Sequence, residues 1–222
     1  MALKAVLFDW RGTLFHDLAD EAWIRAAAHR IKRGIDAATV ARLAAELREV
    51  TRRPEIQAAE ARSNVSTAAH HAFALAYFGA AGLDPELAES LWAIDGDAEL
   101  TIPYPDVAGV FARLSVAGIR VAVVSDVHYD IRPHFKRHSL ARYIDAWALS
   151  YEHGWSKPDS DAFATALKPL GVAPEDALMV GDRADRDGGA AEYGIATLIL
   201  PPMRVFGPRG LDCVLRLAGI AE

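Results

Sequence analysis

The strongest constraint on the fold is a rhythm in which short apolar runs recur along the chain, each followed by a polar turn and a helix-like stretch. The first run, residues 3–8 (Leu-Lys-Ala-Val-Leu-Phe), is closed by Asp9 and Gly12 and suits a strand buried on both faces. Four more runs follow at 119–124, 144–149, 177–180 and 195–200, with helical patterns at 105–117, 159–170 and 184–193 among them. Such alternation predicts an α/β fold: a doubly wound, Rossmann-like parallel sheet covered on both faces by right-handed crossovers.

Residues 16–100 break the rhythm. They hold no convincing strand and read as three or four helices, the first two at 21–33 and 37–53, separated by Gly34 and ended at Pro54. A third starts near the cap-type residues Asn64 or Ser66 and runs to Gly79, and Asp84-Pro85 opens a fourth with proline at its first position. The expected organisation is therefore an α/β core of residues 1–15 and 101–222 with an α-helical cap of residues 16–100. The joints fall near 16–20 and 101–105, where Pro103 and Pro105 stiffen the return. No internal repeat or low-complexity linker occurs, and nothing in the pattern sets an oligomeric state.

Composition narrows the class. An apolar fraction of 52% and a charged fraction of 24% over 222 residues are ordinary for a soluble globular chain. A net charge of −6 argues against a nucleic-acid surface, which needs clustered Lys and Arg, but leaves room for a small anionic substrate in a local positive pocket. Cys213 is the single cysteine, forms no internal disulfide, and fits a reducing compartment as a buried small hydrophobe. The N-terminus lacks a signal-peptide pattern, and no window offers roughly 18 uninterrupted apolar residues. A cytoplasmic protein that does not engage a membrane is expected.

In an open parallel sheet the ligand sits at the carboxyl ends of the strands. There the sequence places Asp9-Trp10-Arg11-Gly12-Thr13, then Ser125-Asp126, then Ser156-Lys157-Pro158, then Gly181-Asp182 with Asp185 and Asp187 close behind. Carboxylates, a hydroxyl and a lysine at strand ends suit a Mg2+ and phosphate site, because hard Mg2+ takes oxygen ligands and keeps room for substrate phosphate. Each element alone has a blander reading as a turn, cap or surface residue.

Taken in order, these segments resemble the haloacid dehalogenase-like superfamily in its helical-cap form. The superfamily has four motifs, which these segments follow in order: an Asp-x-Asp-x-Thr after the first strand, a Ser or Thr ending a strand, a Lys opening a helix, and a Gly-Asp with a further Asp. The resemblance implies that Asp9 attacks the electrophile and binds Mg2+. The main-chain carbonyl of Arg11 and the carboxylate of Asp182 would complete the protein ligands, with Asp187 holding the metal waters. Ser125 and the backbone N–H of Asp126 would grip phosphate oxygens, and Lys157 would neutralise charge between Asp9 and a small phosphorylated substrate. Asp185 reads as a surface or capping residue.

The match departs at Arg11, where phosphatases of the superfamily carry an Asp that protonates the leaving alkoxide and activates water. A guanidinium gives up no proton near neutral pH, and the lost general acid–base help is typically worth roughly 10²–10⁴-fold. His16, Asp17 and His128 are the substitutes nearest in sequence, and Arg11 itself becomes a candidate substrate-binding cation. Three readings stay open: a Mg2+-dependent phosphohydrolase with altered proton chemistry, a phosphonate- or halide-type hydrolase, and a non-catalytic phosphate-binding protein. The phosphonate type needs a Schiff-base lysine in the cap, where Lys32 is the only lysine and reads as helical surface. The halide type resembles Ser/Asn, not Gly-Asp, in the fourth motif. Phe73, Tyr77, Phe78 and Trp92 suit the cap's own core, adjacent His70 and His71 diverge on a helix, and Arg52-Arg53 fit solvated helix-end positions.

Overall fold

A computed structural model of the chain describes residues 3–16, 18–203 and 206–220. Along the chain lie β1 (Ala5–Phe8), β2 (Phe15–His16), α1 (Asp20–Arg30), α2 (Ala37–Thr51), α3 (Pro54–Ser63), α4 (Thr67–Ala80), α5 (Pro85–Asp95) and β3 (Ile102–Pro103). There follow α6 (Val107–Val116), β4 (Arg120–Ser125), α7 (Arg132–Arg137), β5 (Ala146–Leu149), α8 (Ser150–His153), α9 (Ser160–Leu170), β6 (Ala177–Gly181), α10 (Gly189–Glu192), β7 (Ala196–Ile199) and α11 (Asp212–Leu217).

Five strands pair in the order β5-β4-β1-β6-β7, each pair parallel, so the sequence winds outward from β1 in both directions. This is the doubly wound α/β architecture. Side chains alternate across the pleat. Val6 and Phe8, with Val121, Val123, Leu178 and Val180, pack into one apolar core that includes α6 and α11 residues. Ala5 and Leu7, with Ala122, Val124 and Met179, pack into a second core beneath α9. Burial on both faces is why these strands read as unbroken apolar runs.

Helices α1–α5 enclose a third apolar core of their own, including Ile24, Val40, Leu47, Phe78, Leu87 and Leu91. Their starts follow capping chemistry. Asp36 accepts from the Thr39 amide at 2.8 Å, Ser66 from Ala69 at 3.2 Å and Asp84 from Leu87 at 3.2 Å. Three features differ from the sequence reading. Pro54 starts a separate helix, α3, in addition to ending α2, because proline is at ease in a first turn. The joints carry a two-residue antiparallel pairing of β2 with β3, too short to show a period in sequence. Within the core, only Gly189–Glu192 of the expected 184–193 helix is helical. Cys213 is half-buried against the first core. No described helix is long and apolar enough to cross a membrane.

Candidate active site

Register places Asp9 directly beyond Phe8, whose Cα partners are Val123 on β4 and Val180 on β6; the Asp9 amide donates to the Val180 carbonyl at 2.9 Å. The chain then turns tightly, with the Leu14 and Phe15 amides donating to the Trp10 carbonyl at 2.7 and 3.0 Å. Gly12 at the tip has φ +76°, and a Cβ there would lie 2.3 Å from Asp182 Oδ2. Only glycine lets this loop approach the carboxylate so closely. Thr13 is fully buried behind it and its hydroxyl reaches Asp182 Oδ1 at 3.5 Å.

Lys157 is 3% exposed, and its Nζ lies 2.6 Å from both Asp9 Oδ1 and Asp187 Oδ1. Burial alone would depress this ammonium; the carboxylates of Asp9, Asp187 and Asp126 outweigh it and hold the group above its ordinary value. Burial pushes Asp9 up to about 7, with the charges of Asp187 and Asp182 adding to the rise and Lys157 opposing it. The second oxygen of Asp187 accepts from the Asp182 amide at 3.1 Å and the Arg183 amide at 3.0 Å. Gly181 makes this return possible, since a Cβ there would sit 2.1 Å from Asp187 Oδ2. The same inward fold of Asp187 explains why residues ahead of Gly189 turn instead of forming a helix.

Ligand oxygens of Asp9, Asp182 and Asp187 lie within 4.8 Å of one another. An all-oxygen set of this kind suits a hard divalent cation. Both Asp187 oxygens already accept hydrogen bonds, so it is placed to orient the set more than to lead it. Ser125 ends β4, buried to 3% exposure, and faces the same cavity. Asp126 directs its side chain away from any ligand role: Oδ1 accepts from the Lys157 amide at 2.8 Å, and Oδ2 pairs with Arg186 Nη1 at 3.4 Å. Arg186, buried and also donating to the Lys157 carbonyl at 3.3 Å, was not anticipated. Its signal in sequence was a cation inside the acidic 182–187 run. Asp185 is exposed and pairs with Arg183 at 3.0 Å.

The Arg11 side chain turns to the cap. Its Nη1 meets Asp95 Oδ1 at 2.6 Å, its Nη2 donates to the Asp95 carbonyl at 2.6 Å and to the Tyr129 hydroxyl at 2.8 Å, and its guanidinium lies over the Trp10 ring at 4.6 Å. Burial would raise Asp95, but Arg11 and His128 together hold it below the usual carboxylate range. His128 stacks on His70 of α4 with centroids 3.4 Å apart and approaches Asp95 Oδ2 at 3.7 Å. His16 packs its ring against Tyr104 and Phe206 at the cavity edge. Asp17 lies outside the described residues. Lys32 is exposed, has φ 55° and follows α1, so it belongs to a turn and not to the expected helix. Arg52 and Arg53 are exposed.

Between cap and sheet lies a cavity of about 450 Å³. Asp9, Ser125, Lys157 and Asp182 line its floor, and Trp23, Phe73, Tyr77, Phe78 and Trp92 line its cap side. As expected, Phe78 also belongs to the helices' own core, with Tyr77 and Trp92 packed against it; Phe73 lies outside that core. Helical spacing alone did not reveal which face turned inward.

A buried carboxylate held by lysine at the carboxyl end of a doubly wound sheet, under a helical unit, defines a class of α/β hydrolases. The chain belongs to the haloacid dehalogenase-like hydrolase family, whose model matches residues 3–194. It is 32% identical over 202 residues to a glyceraldehyde 3-phosphate phosphatase of Methanopyrus kandleri, covering 88% of this chain and 83% of that one. The fold is shared with a HAD phosphatase of Thermococcus onnurineus, at a TM-score of 0.63 and 20% identity, covering 98% of each chain. It is also shared with the L-2-haloacid dehalogenase of Xanthobacter autotrophicus, at a TM-score of 0.66 and 22% identity, covering 99% of this chain and 84% of that one.

Proposed function

We propose that the protein is a Mg2+-dependent phosphohydrolase acting on a small phosphorylated metabolite, with Asp9 as nucleophile. The observation that carries the reading is the Lys157 ammonium at 2.6 Å from Asp9, with Asp182 and Asp187 grouped beside it. Asp9 presents a carboxylate oxygen to phosphorus, and Lys157 lowers the repulsion between that carboxylate and the phosphoryl oxygens. Ser125 and the Asp126 amide hold those oxygens at the end of β4. Asp9 and Asp182, with the Arg11 main-chain carbonyl, would hold Mg2+, and Asp187 would orient that set. A bound Mg2+ would supply further neutralisation of the transferring group's charge.

The named relative from Methanopyrus kandleri supports phosphate ester hydrolysis over the halide reading. Lys32, exposed and not among the residues that line the cavity, offers no amine for phosphonate chemistry. Residues 16–100 act in this reading as a cap that shields the site from water. Phosphate release from acetyl phosphate, phenyl phosphate and glycerol 3-phosphate, with and without Mg2+, tests the proposal with Asp9→Asn as the blank. Mg2+-dependent release from at least one of the three, lost in Asp9→Asn, is expected. Release that persists in Asp9→Asn would overturn it.

A further inference from the structure

We infer that the substrate is an aryl phosphate, a phosphate monoester whose leaving group is a planar aromatic alcohol seated against the cap's aromatic wall. The inference rests on the phosphohydrolase reading above and adds the substrate class to it.

The first observation is the character of that wall. Trp23, Phe73, Tyr77, Phe78 and Trp92 line the cavity opposite Asp9. Four of them form one connected set, with Trp23 edge-on to Phe78 at 5.4 Å, Tyr77 5.2 Å from Phe78, and Phe73 parallel to Tyr77 at 5.9 Å. The polar handles of Tyr77 and Trp92 are already used. The Tyr77 hydroxyl bonds Thr51 Oγ1 at 2.9 Å and donates to the Leu47 carbonyl at 3.2 Å, and the Trp92 indole N–H donates to His70 Nδ1 at 3.3 Å. Apart from the Trp23 indole N–H, what the wall offers is ring faces and edges, which favour another ring over a polyol.

Charge is the second observation. Among the described residues, the lysine and arginine side chains lining the cavity are Arg11, Lys157, Arg183 and Arg186, all from the sheet side. The cap contributes Asp20, Glu60 and Asp95, paired with Arg48 at 3.1 Å, Arg183 at 3.5 Å and Arg11 at 2.6 Å. A second carboxylate or phosphate on the leaving group would meet no cation from the cap.

The third observation is Arg11 itself. Its guanidinium is engaged by Asp95 and Tyr129 and supplies no proton to a departing oxygen. A phenol ionises near about 10, as tyrosine does, against about 15.7 for water. An aryloxide can therefore leave as the anion where an alkoxide cannot. In the reaction an Asp9 oxygen bonds to phosphorus, the P–O(aryl) bond breaks, and its electron pair departs on the aryloxide. Water then attacks phosphorus, the P–O(Asp9) bond breaks to restore the carboxylate, and the proton lost by water ends on the aryloxide. The sum is aryl phosphate plus water giving the phenol and inorganic phosphate.

The test is steady-state kinetics of the whole protein with Mg2+ on 1-naphthyl phosphate, acetyl phosphate and benzyl phosphate. These combine a ring with an acidic leaving group, an acidic leaving group alone, and a ring alone. The kcat/KM for naphthyl phosphate should exceed the other two by at least about tenfold, on the scale of one good aromatic contact. In Phe73→Ala the naphthyl-to-acetyl ratio should fall about tenfold, chiefly through KM, and 1-naphthol should lose its competitive inhibition. Phe73→Leu keeps the bulk without the ring, so it serves should Phe73→Ala fail to fold, and the same loss is expected of it. Acetyl phosphate turnover with no naphthyl preference would overturn the inference while leaving the phosphohydrolase reading intact. An unchanged ratio in the Phe73 variants would overturn it too. No turnover of any of the three phosphates would defeat both.

Discussion

Arg11 and Asp95 meet across the cavity at 2.6 Å, joining the loop after the first strand to the end of the last cap helix. The position two after Asp9 thus ties α5 to the loop after β1. Replacing Arg11 with Asp would set two carboxylates against each other and loosen the cap, whatever it did for proton transfer. Arg11→Asp alone should therefore gain little on glycerol 3-phosphate. Arg11→Asp with Asp95→Asn relieves the repulsion and should gain up to roughly 10²-fold, the lower end of general acid–base help. Initial-rate assays of both variants decide it; a single variant that equals the double would sink this account.

Lys157 bridges Asp9 and Asp187 almost without solvent, with side-chain exposures of 3%, 13% and 1%. Lys157→Met leaves the carboxylates uncompensated, which for a buried pair costs about 3–5 kcal/mol. A clear drop in the thermal midpoint should appear, together with a loss of phosphate release of roughly 10²–10³-fold. Mg2+ should raise the midpoint more in the variant than in the wild type, because a cation relieves the same repulsion. Equal Mg2+ shifts would argue against that electrostatic coupling.

Calorimetric titration should detect Mg2+ binding that disappears in Asp182→Ala. In Asp187→Asn it should weaken by about 10–100-fold, the usual scale for groups that orient metal ligands. Binding retained in Asp182→Ala would remove that residue from the site.

The stacked imidazoles give a pH dependence with a definite sign. Burial lowers His70 from 6.5 to about 4, and burial together with the charge of His70 lowers His128 to about 3. Between those values and 6.5 the unfolded chain binds more protons than the folded one, so folded-state stability falls as pH drops through that window. The thermal midpoint of the wild type should decline more steeply from pH 6.5 to 4.5 than that of His128→Phe, which keeps a ring over His70. Parallel slopes would rule the pair out as the source.

Much of the sheet was legible because a strand buried on both faces shows itself as an apolar run with no need of a partner. The site motifs were legible for a related reason: Gly12 and Gly181 exist to let Asp182 and Asp187 come close, so the glycines mark the carboxylates. What was hidden depends on partners distant in sequence. Nothing around Arg11 announces Asp95, and nothing around Arg186 announces Asp126. The aromatic residues of α4 and α5 carry no local sign of which face meets the cavity. Helix α3 was hidden by a proline read as a stop, and the β2–β3 pairing by its brevity.

The central place of β1 has a consequence for how the molecule assembles as it is made. Ala5 pairs with Arg120 on one side and Ala177 on the other, so the first strand synthesised must wait for most of the chain before its neighbours exist. The cap helices need no such wait, since α1 packs on α2 and α4 on α5 within a short span. Local contacts form quickly and long-range parallel pairings slowly. During synthesis α1–α5 can gather their mutual contacts while β1 is still an apolar segment waiting for β4 and β6.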